Sequence, residues 1–301
     1  MATLRDIRRR IQGVQSTSKI TQAMKMVAAA KLRRAQEAII AARPFAREIK
    51  ALRRHLMSQV DRSLLPILDE RPDQQSVLVI LVTADRGLCG AFNTNLVRFT
   101  TGLVKNEYRE FYEQEKVKLL CIGRKGIDFF SKQDIEIVEK HVGVVNTPDY
   151  TVSNQIMSGV IRGFLAGEYD KVVLIYNEFK SVISQRIVAE DLLPVPSEPE
   201  EIHVMDGHEY HPYTQYIYEP SERTLMESLV PRSLDFQLYT AMLESNAAEQ
   251  GARMTAMDTA TTNARDMITE LTLRYNRERQ AAITKELLEI VSGAEALKNV
   301  T

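Results

Sequence analysis

Two long stretches of the chain repeat apolar residues at the three- and four-residue spacing of an α-helix. The first extends from Thr3 to about Leu56 and the second from Ser233 to about Leu297. No proline follows Pro231, so the second stretch can form one continuous helix. A helix of that length cannot bury its apolar side on a small core. We therefore expect the two helices to pack against each other and then against other chains.

The apolar row along each stretch changes its position part-way along the helix. In the first stretch, the row is apolar near both ends of the helix. In between, polar side chains occupy the row, and the apolar side chains lie on a neighbouring face. The polar positions are Ser18, Thr21 and Lys25, and the displaced apolar positions are Ile20, Met24 and Val27. In the second stretch, the row shifts between Met254 and Tyr275. Such shifts are typical of a helix that changes neighbours, so we expect other chains to contact the pair at these levels.

The residues between the two helices follow a different pattern, in which β-branched apolar runs alternate with amphipathic segments. The predicted strands are 77–82, 118–123, 135–139 and 171–179, and the predicted helices are 93–115, 125–132 and 152–166. Strands that alternate with helices indicate a mostly parallel sheet covered by helices, so we predict a Rossmann-like α/β domain. A last strand within 181–195 follows a short turn and is predicted to be antiparallel.

These patterns predict four segments along the chain. The N-terminal helix, the α/β domain, a segment rich in tyrosine and histidine, and the C-terminal helix occupy residues 1–58, 59–201, 202–231 and 232–301. The α/β segment begins with a linker-like stretch that contains Pro66 and Pro72. The third segment is expected to form short strands and a short helix capped by Ser221, which ends before Pro231.

Charge is distributed unevenly along the chain. The net charge is −1, but residues 1–56 contain 14 Lys and Arg against 3 Asp and Glu. The first helix is therefore expected to face nucleic acid or acidic loops of another protein, unless its basic face is simply solvated. The longest apolar run, residues 77–82, is too short to span a membrane. Cys89 and Cys121 lack disulfide or zinc-motif spacing, so we expect a soluble chain with two buried thiols.

Two segments offer candidate chemistry, and neither has the spacing that the chemistry needs. The sequence DRGLCG at 85–90 follows the first strand, where doubly wound folds bind phosphates, but it lacks both the GxGxxG and the GxxxxGK[ST] patterns. We interpret Asp85 and Arg86 as charges that face a partner. The histidines and carboxylates within 203–211 lack the spacing of a helical zinc motif and indicate a polar surface turn. No catalytic, cofactor-binding or metal-binding residue is therefore predicted.

Five segments of the chain carry a family resemblance. They are TLRDIRRRIQGVQSTSKITQAMKMVAAAKLRRA near the N-terminus, LVTADRGLCGAFNTNL and YNEFKSVISQ in the middle, and ESNAAEQGARMTAMDTATTNA and ITKELLEIVSGAEAL near the end. In this order they resemble the γ subunits of F-type ATP synthases over the whole chain. The resemblance implies that the terminal helices form a left-handed antiparallel coiled coil inside a ring of α and β subunits. The α/β domain and the segment after it form a foot.

The resemblance also implies which residues contact partners. Residues expected to contact the α/β ring are Met24, Lys25, Asp85, Arg86, Arg253, Gln280, Thr284, Glu286 and Glu289. Residues expected to contact the membrane c-ring are Tyr216, Tyr218 and Glu219. Leu288 departs from the threonine often found at its position, which removes a hydrogen bond expected there. The cysteine-bearing regulatory loop of the chloroplast form is absent, so thiol regulation of that kind is not expected.

As a function, the resemblance implies a central stalk that transmits torque between the c-ring and the catalytic ring and thereby couples proton flow to ATP synthesis or hydrolysis. The subunit itself is not catalytic, contacts the ε subunit as well, is present as one copy per complex, and has no cofactor, nucleic acid or small-molecule substrate. Through the complex it is expected at the cytoplasmic face of the inner (plasma) membrane. From the residues alone, two alternatives remain: a basic helical hairpin that binds nucleic acid, and a nucleotide-binding enzyme that uses the DRGLCG loop.

Overall fold

The computed structural model describes residues 3–59, 65–68, 71, 75–196, 204–205, 208–209, 219 and 221–298. The chain divides into two compact units. Unit 1 comprises Met1–Ala28 and Met254–Thr301, and unit 2 comprises Ala29–Arg253. Two long helices, α1 (Leu4–Gln59) and α6 (Glu222–Lys298), contribute residues to both units.

Helix α1 begins with a reciprocal cap. The Thr3 hydroxyl accepts a hydrogen bond from the Asp6 backbone N–H at 3.3 Å, and the Asp6 carboxylate accepts one from the Thr3 N–H at 3.1 Å. This is a capping box with aspartate at the position that glutamate often takes. The helix continues through Pro44, which lacks the N–H that would complete the internal hydrogen-bond ladder.

Helix α6 begins earlier than predicted, at Glu222 rather than near Ser233. Ser221 caps it as predicted, because its hydroxyl accepts a hydrogen bond from the Thr224 N–H at 3.2 Å. The prediction that Pro231 separates two helices was wrong, since the helix runs through it. Val230 and Leu234 on either side are fully buried in unit 2, and this packing outweighs the local penalty of the proline.

A five-stranded sheet forms the centre of unit 2. Its strands are β1 (Val77–Val82), β2 (Val117–Ile122), β3 (Glu136–His141), β4 (Lys171–Phe179) and β5 (Gln185–Leu193). Their order is β3-β2-β1-β4-β5, with β1 to β4 parallel and β5 antiparallel to β4. The predicted mostly parallel sheet with an antiparallel last strand is therefore confirmed. Central strand β1 is buried along its whole length, which explains its uninterrupted apolar sequence.

Four further helices surround the sheet: α2 (Phe92–Asn106), α3 (Arg109–Glu113), α4 (Arg124–Phe130) and α5 (Tyr150–Ala166). Helices α2 and α3 replace the single helix predicted over 93–115. The chain leaves the helical conformation at Tyr108, whose side chain is buried against the sheet. A short antiparallel pair, β6 (Val204–Met205) and β7 (His208–Glu209), agrees with the short strands expected in the third segment.

Apolar clusters cover both faces of the sheet. On one face, Ile80 packs with Phe164 of α5 and Leu238 of α6. On the other face, Val79 packs with Leu96 of α2. The two free cysteines are buried, as predicted.

The stretch after α1, which was predicted to be a linker, contributes to this core. Leu65, Ile67 and Leu68 are at most 7% exposed and belong to the cluster that contains α5 and α6. Prolines in this stretch disfavour a helix, but they do not prevent neighbouring apolar side chains from being buried.

Candidate functional site

In unit 1, helices α1 and α6 are antiparallel and have polar side chains in their interface. The Thr21 hydroxyl lies 2.7 Å from the Thr261 hydroxyl, and Lys25 Nζ lies 2.6 Å from Asp258 Oδ1. The partner's number falls as the position on α1 rises, so the two helices run in opposite directions. Ser18 and Thr21 are both buried, which confirms that polar residues occupy the contact row.

Two of the three displaced apolar side chains of α1 are open to solvent in the described part of the chain. Ile20 is 59% exposed and Val27 57%, whereas the predicted ring contacts Met24 and Lys25 are half-buried. Lys25 is held by its ion pair with Asp258. This level of unit 1 therefore combines a satisfied interior with an apolar outer surface, which is characteristic of a protein-binding site.

The last part of α6 carries the other predicted ring contacts of unit 1. Gln280, Thr284, Glu286 and Glu289 are all exposed. The Thr284 hydroxyl donates to the Gln280 carbonyl at 2.9 Å, and Glu289 lies 3.7 Å from Lys285 Nζ. Both contacts lie within the helix surface, so these polar groups remain accessible.

Apolar side chains are exposed along the same part of α6. Ile283 is 50% exposed and Ile290 is 68% exposed. The Thr21–Thr261 contact places Leu4, the first residue of α1, roughly level with Glu278. Beyond that level α6 has no α1 to pack against. The described apolar side chains of α6 after Glu278, which include Ile283 and Ile290, are therefore not buried within unit 1.

In unit 2, Asp85 lies in the loop after β1, residues 83–91, here named the β1 loop. Its carboxylate accepts hydrogen bonds from the Arg124 N–H at 3.0 Å, from the Gly143 N–H at 3.1 Å and from Asn146 Nδ2 at 2.7 Å. These donors lie in the segments that follow β2 and β3. Asp85 therefore joins three connections at the carboxyl edge of the sheet.

Arg86 and Arg253 differ in how their charges are used. Arg86 is exposed, and its guanidinium has no hydrogen-bond or ion-pair partner among the described residues. The Arg253 side chain is only 12% exposed. It donates to the Gly87 carbonyl at 2.5 Å and forms an ion pair with Glu249 one turn earlier on α6. Arg253 thus holds the β1 loop against α6, whereas Arg86 faces outward.

Helix α6 is buried on every side where it passes the carboxyl edge of the sheet. Each residue from 241 to 250 is buried, including charged and amide side chains. Glu244 accepts a hydrogen bond from the Phe179 N–H at 3.0 Å, and Asn246 Nδ2 donates to the Val145 carbonyl at 2.8 Å. Polar contacts therefore attach α6 to the end of β4 and to the segment after β3.

Burial raises the pKa of both buried glutamates on α6. For Glu249, loss of solvation is the largest influence on the pKa, and the hydrogen bond and charge of Arg253 oppose it. For Glu244, loss of solvation is again the largest influence, and the Phe179 N–H opposes it. Each carboxylate consequently depends on its bonded neighbour, because a buried charge without a partner is strongly unfavourable.

The carboxyl edge of the sheet is the position at which doubly wound folds bind phosphates. Here the Arg124 and Gly143 N–H groups are already bonded to Asp85, and α6 occupies the adjacent space with Asn246. These two N–H donors at the sheet edge are therefore already used within the chain. The described residues include no group of three or more His, Cys, Asp or Glu side chains that could hold a metal ion.

The predicted c-ring contacts fall mostly outside the described residues. Tyr216 and Tyr218 are not among them, and Glu219 is exposed. Of the candidate metal ligands, His203, Asp206 and His211 also lie outside, as do the side chains of β7. Among the described helices, none is both long enough and apolar enough to cross a membrane.

Comparison with known proteins agrees with the motifs. A family model described as ATP synthase matches residues 3–297. The ATP synthase γ chain of Chlorobium limicola is 50% identical over 299 residues, which are 99% of this chain and 100% of that protein. The corresponding γ chain of Chloroherpeton thalassium is 48% identical over 301 residues, covering 99% of each. This chain belongs to the ATP synthase γ-chain family.

Solved structures have the fold of this γ-family chain. A chain of the Euglena gracilis mitochondrial ATP synthase, in a structure of OSCP, F1 and c-ring, matches with a TM-score of 0.67 and 20% identity, covering 98% of this chain and 94% of that one. A chain of the Tetrahymena thermophila mitochondrial ATP synthase central stalk and c-ring matches with a TM-score of 0.60 and 27% identity, covering 80% and 99%. These matches confirm the predicted fold class. A γ chain is a subunit of ATP synthase, which is the enzyme.

Sequence reasoning missed the γ-family residues that attach α6 to the sheet edge, chiefly Glu244, Asn246 and Glu249. A signal was available in the string ESNAAEQ, where polar residues and alanines alternate around the helix without forming a separate polar face. A helix segment without such a face is either buried on all sides or exposed on all sides. No comparable sequence pattern indicated that the Asp85 carboxylate accepts hydrogen bonds from within the chain.

Proposed function

We propose that this chain is the rotating central stalk of an F-type ATP synthase and transmits torque without performing chemistry itself. The observation that carries the proposal is the exposed apolar surface of unit 1, at Ile20 and Val27 of α1 and Ile283 and Ile290 of α6. The interior of the helix pair is already filled by its own contact row. An outer apolar surface on such a pair needs an enclosing partner, and a ring of α and β subunits supplies one.

The two sides of unit 1 differ in chemistry, which is what a cam-like shaft requires. One side carries the Lys25–Asp258 ion pair, and another exposes Ile20 and Val27. A shaft with unlike sides stabilises a different conformation in each catalytic subunit that it faces. Rotation then moves every catalytic site through the same series of conformations.

The partner contacts follow from this placement. Met24, Lys25, Gln280, Thr284, Glu286 and Glu289 face the interior of the ring, and Asp85, Arg86 and Arg253 lie near its rim. Tyr216, Tyr218 and Glu219 contact the c-ring. The α/β domain and the segment that follows it, up to the start of α6 at Glu222, form the foot, and α1 and α6 form the shaft. The ε subunit binds this foot, and the complex holds one copy of the chain at the cytoplasmic face of the membrane.

Charge on unit 1 supports an acidic surrounding for the shaft. Arg8 and Arg9 on α1 are exposed, as are Arg274 and Arg277 on α6, and the pairing of the helices brings all four to a similar level. Acidic loops of the catalytic subunits provide the complementary charge. Substituting these arginines by glutamine is expected to weaken assembly more at low than at high ionic strength, because the attraction is already screened at high ionic strength.

Purification of the complex through a tagged β subunit tests the proposal. The chain is expected to co-purify with α, β and c subunits, and the membrane-bound complex is expected to couple ATP hydrolysis to proton pumping. Ile20→Ser with Val27→Ser should lower the ratio of pumping to hydrolysis. Ile183→Ser, at a position 85% exposed in unit 2, is the matched control and should leave that ratio near the wild-type value.

Three results would count against the stalk. They are failure of the wild-type chain to co-purify with the ring, ATP hydrolysis by the isolated chain, and tight binding of RNA at physiological salt. The last would instead support the nucleic-acid hairpin.

A further inference from the structure

The β1 loop is fastened from inside at several successive residues. The Ala84 N–H donates to Asn93 Oδ1 at 3.0 Å, and the carboxylate of Asp85 accepts its three hydrogen bonds. The Gly87 carbonyl accepts the hydrogen bond from Arg253 at 2.5 Å. The loop is therefore held by groups from α2, α6 and the segments after β2 and β3.

Asp85 has the most extensive of these inward contacts. Both of its carboxylate oxygens are used, and hydrogen bonds that involve an ionised group are stronger than neutral ones. One of its donors, Asn146, is itself connected to α6, because Asn246 Nδ2 lies 3.2 Å from the Asn146 carbonyl. A partner that bound the Asp85 carboxylate would have to displace donors that already satisfy it.

The remaining residues of the loop tip face outward. Arg86 is exposed without a side-chain partner among the described residues. Leu88 is 68% exposed and has a φ of 64°, in the left-handed region that favours glycine. An exposed leucine in an unfavourable backbone conformation gains nothing from the described core. Backbone outliers of this kind cluster at functional sites.

We propose that Asp85 is a positioning residue, which fixes the β1 loop from inside so that Arg86 and Leu88 form the partner-contacting surface. The surface fits a segment of the α/β ring that offers a carboxylate next to an apolar side chain. This inference rests on the proposed function, and it moves the contact expected at Asp85 to its two outward neighbours.

Coupling in the assembled, membrane-bound complex tests this assignment through the variants Asp85→Ala, Arg86→Ala and the double variant. Each single change is expected to lower the ratio of proton pumping to ATP hydrolysis several-fold. The ratio of pumping to hydrolysis in the double variant should be at most twofold below the lower of the two single-variant ratios, because Asp85 acts through Arg86. Asp128→Ala is the matched control, since Asp128 is a nearby carboxylate on α4 with an ion pair to Lys125 at 3.6 Å.

Small carboxylates provide a second readout that a purely structural role would not move. Formate at tens of millimolar should restore coupling in Asp85→Ala, by occupying the position of the lost carboxylate, while chloride at equal ionic strength should not. Arg86→Ala should not respond. If Asp85→Ala does not assemble, Asp85→Asn, which keeps the shape and one acceptor oxygen, replaces it in the same double-variant test.

Two outcomes overturn the proposal. One is a double variant whose loss equals the product of the single losses, as expected if Asp85 contacts the partner directly. The other is a normal ratio in Asp85→Ala. In both cases wild-type assembly and coupling remain intact, so failure of this inference is distinguishable from failure of the stalk function, in which the wild-type chain itself does not join the ring.

Discussion

Helix α6 has opposite surroundings in the two units. From 241 to 250 every residue is buried, and the segment includes Glu244 and Glu249. Near its other end, Leu287 is 57% exposed and Ile290 68%. Neighbours cause the difference, because the sheet edge, α1 and three loops surround the first segment, whereas the second extends past the start of α1. In unit 2 the helix contributes to the buried core, and in unit 1 it leaves apolar side chains exposed.

The largest expected effect comes from breaking the buried ion pair of unit 2. Glu249→Ala leaves the Arg253 guanidinium, in a side chain only 12% exposed, without its counter-charge. Loss of one member of a buried pair lowers the free energy of unfolding by about 3–5 kcal/mol. Urea unfolding of the full chain measures this change.

The control for that variant is Glu113→Ala, which removes an ion pair of the same i,i+4 spacing on exposed helix α3. The urea midpoint of the control is expected to stay at the wild-type value. Equal midpoints for the two variants would show that the Glu249–Arg253 pair does not hold unit 2 together.

A leucine pair on α6 compares the two environments directly. Leu234→Ala, at a fully buried position, is expected to lower the free energy of unfolding by about 2–5 kcal/mol. Leu287→Ala should change it by less than about 0.5 kcal/mol in the isolated chain. In a competition for assembly with α and β subunits, the order should reverse, with Leu287→Ala the weaker competitor among folded chains. If Leu287→Ala competed for assembly as well as the wild-type chain, this part of α6 would not be covered in the complex.

The buried polar contact between α1 and α6 in unit 1 is expected to contribute less to the free energy of unfolding than the buried side chains of unit 2. Thr21→Val keeps the shape of the side chain but removes one hydroxyl of the buried Thr21–Thr261 contact. Loss of such a hydrogen bond lowers the free energy of unfolding by about 1 kcal/mol. The double variant with Thr261→Val should lose less than the sum of the two single losses, because both single variants break the same contact. A double variant with the full sum of the losses would contradict the pairing.

The smallest expected effect is a pH dependence that originates at Glu244. Its pKa in the folded chain is raised above 4.5, chiefly because burial disfavours the charged form. The folded chain therefore binds the proton more tightly than the unfolded chain does. Its contribution to stability is fully present below the unfolded pKa and is lost as the pH rises through the raised folded pKa.

Glu244→Gln removes this titration. Its urea midpoint relative to wild type should therefore rise as the pH increases above 4.5, through the range in which the wild-type carboxylate loses its proton. A difference that stays constant over this range would exclude Glu244 as the source.

Much of the architecture follows from short-range patterns. Strand β4 was predicted at its observed bounds, and Ser221 caps α6 as expected. Alternation of strands and helices was enough to predict a parallel sheet. These features depend on side-chain periodicity and on hydrogen bonds between residues close in sequence, so they can be recognised without knowing the rest of the fold.

Other features depended on residues that are distant in sequence. The continuation of α6 through Pro231, the burial of Leu65 and the end of α2 before Tyr108 each reflect packing onto the core of unit 2. At these positions the local preference for a break, a linker or a continuous helix was outweighed by burial of apolar side chains.

For the candidate site, the sequence by itself determined the family, the uneven charge and the polar positions in the helix contact row. Only the tertiary structure decided which charges are used inside the molecule. Asp85 and Arg253 were expected to face a partner, yet their hydrogen bonds join segments that are far apart in the chain. A charge pattern shows that a side chain is ionised, but the fold determines whether its partner belongs to the same chain or to another.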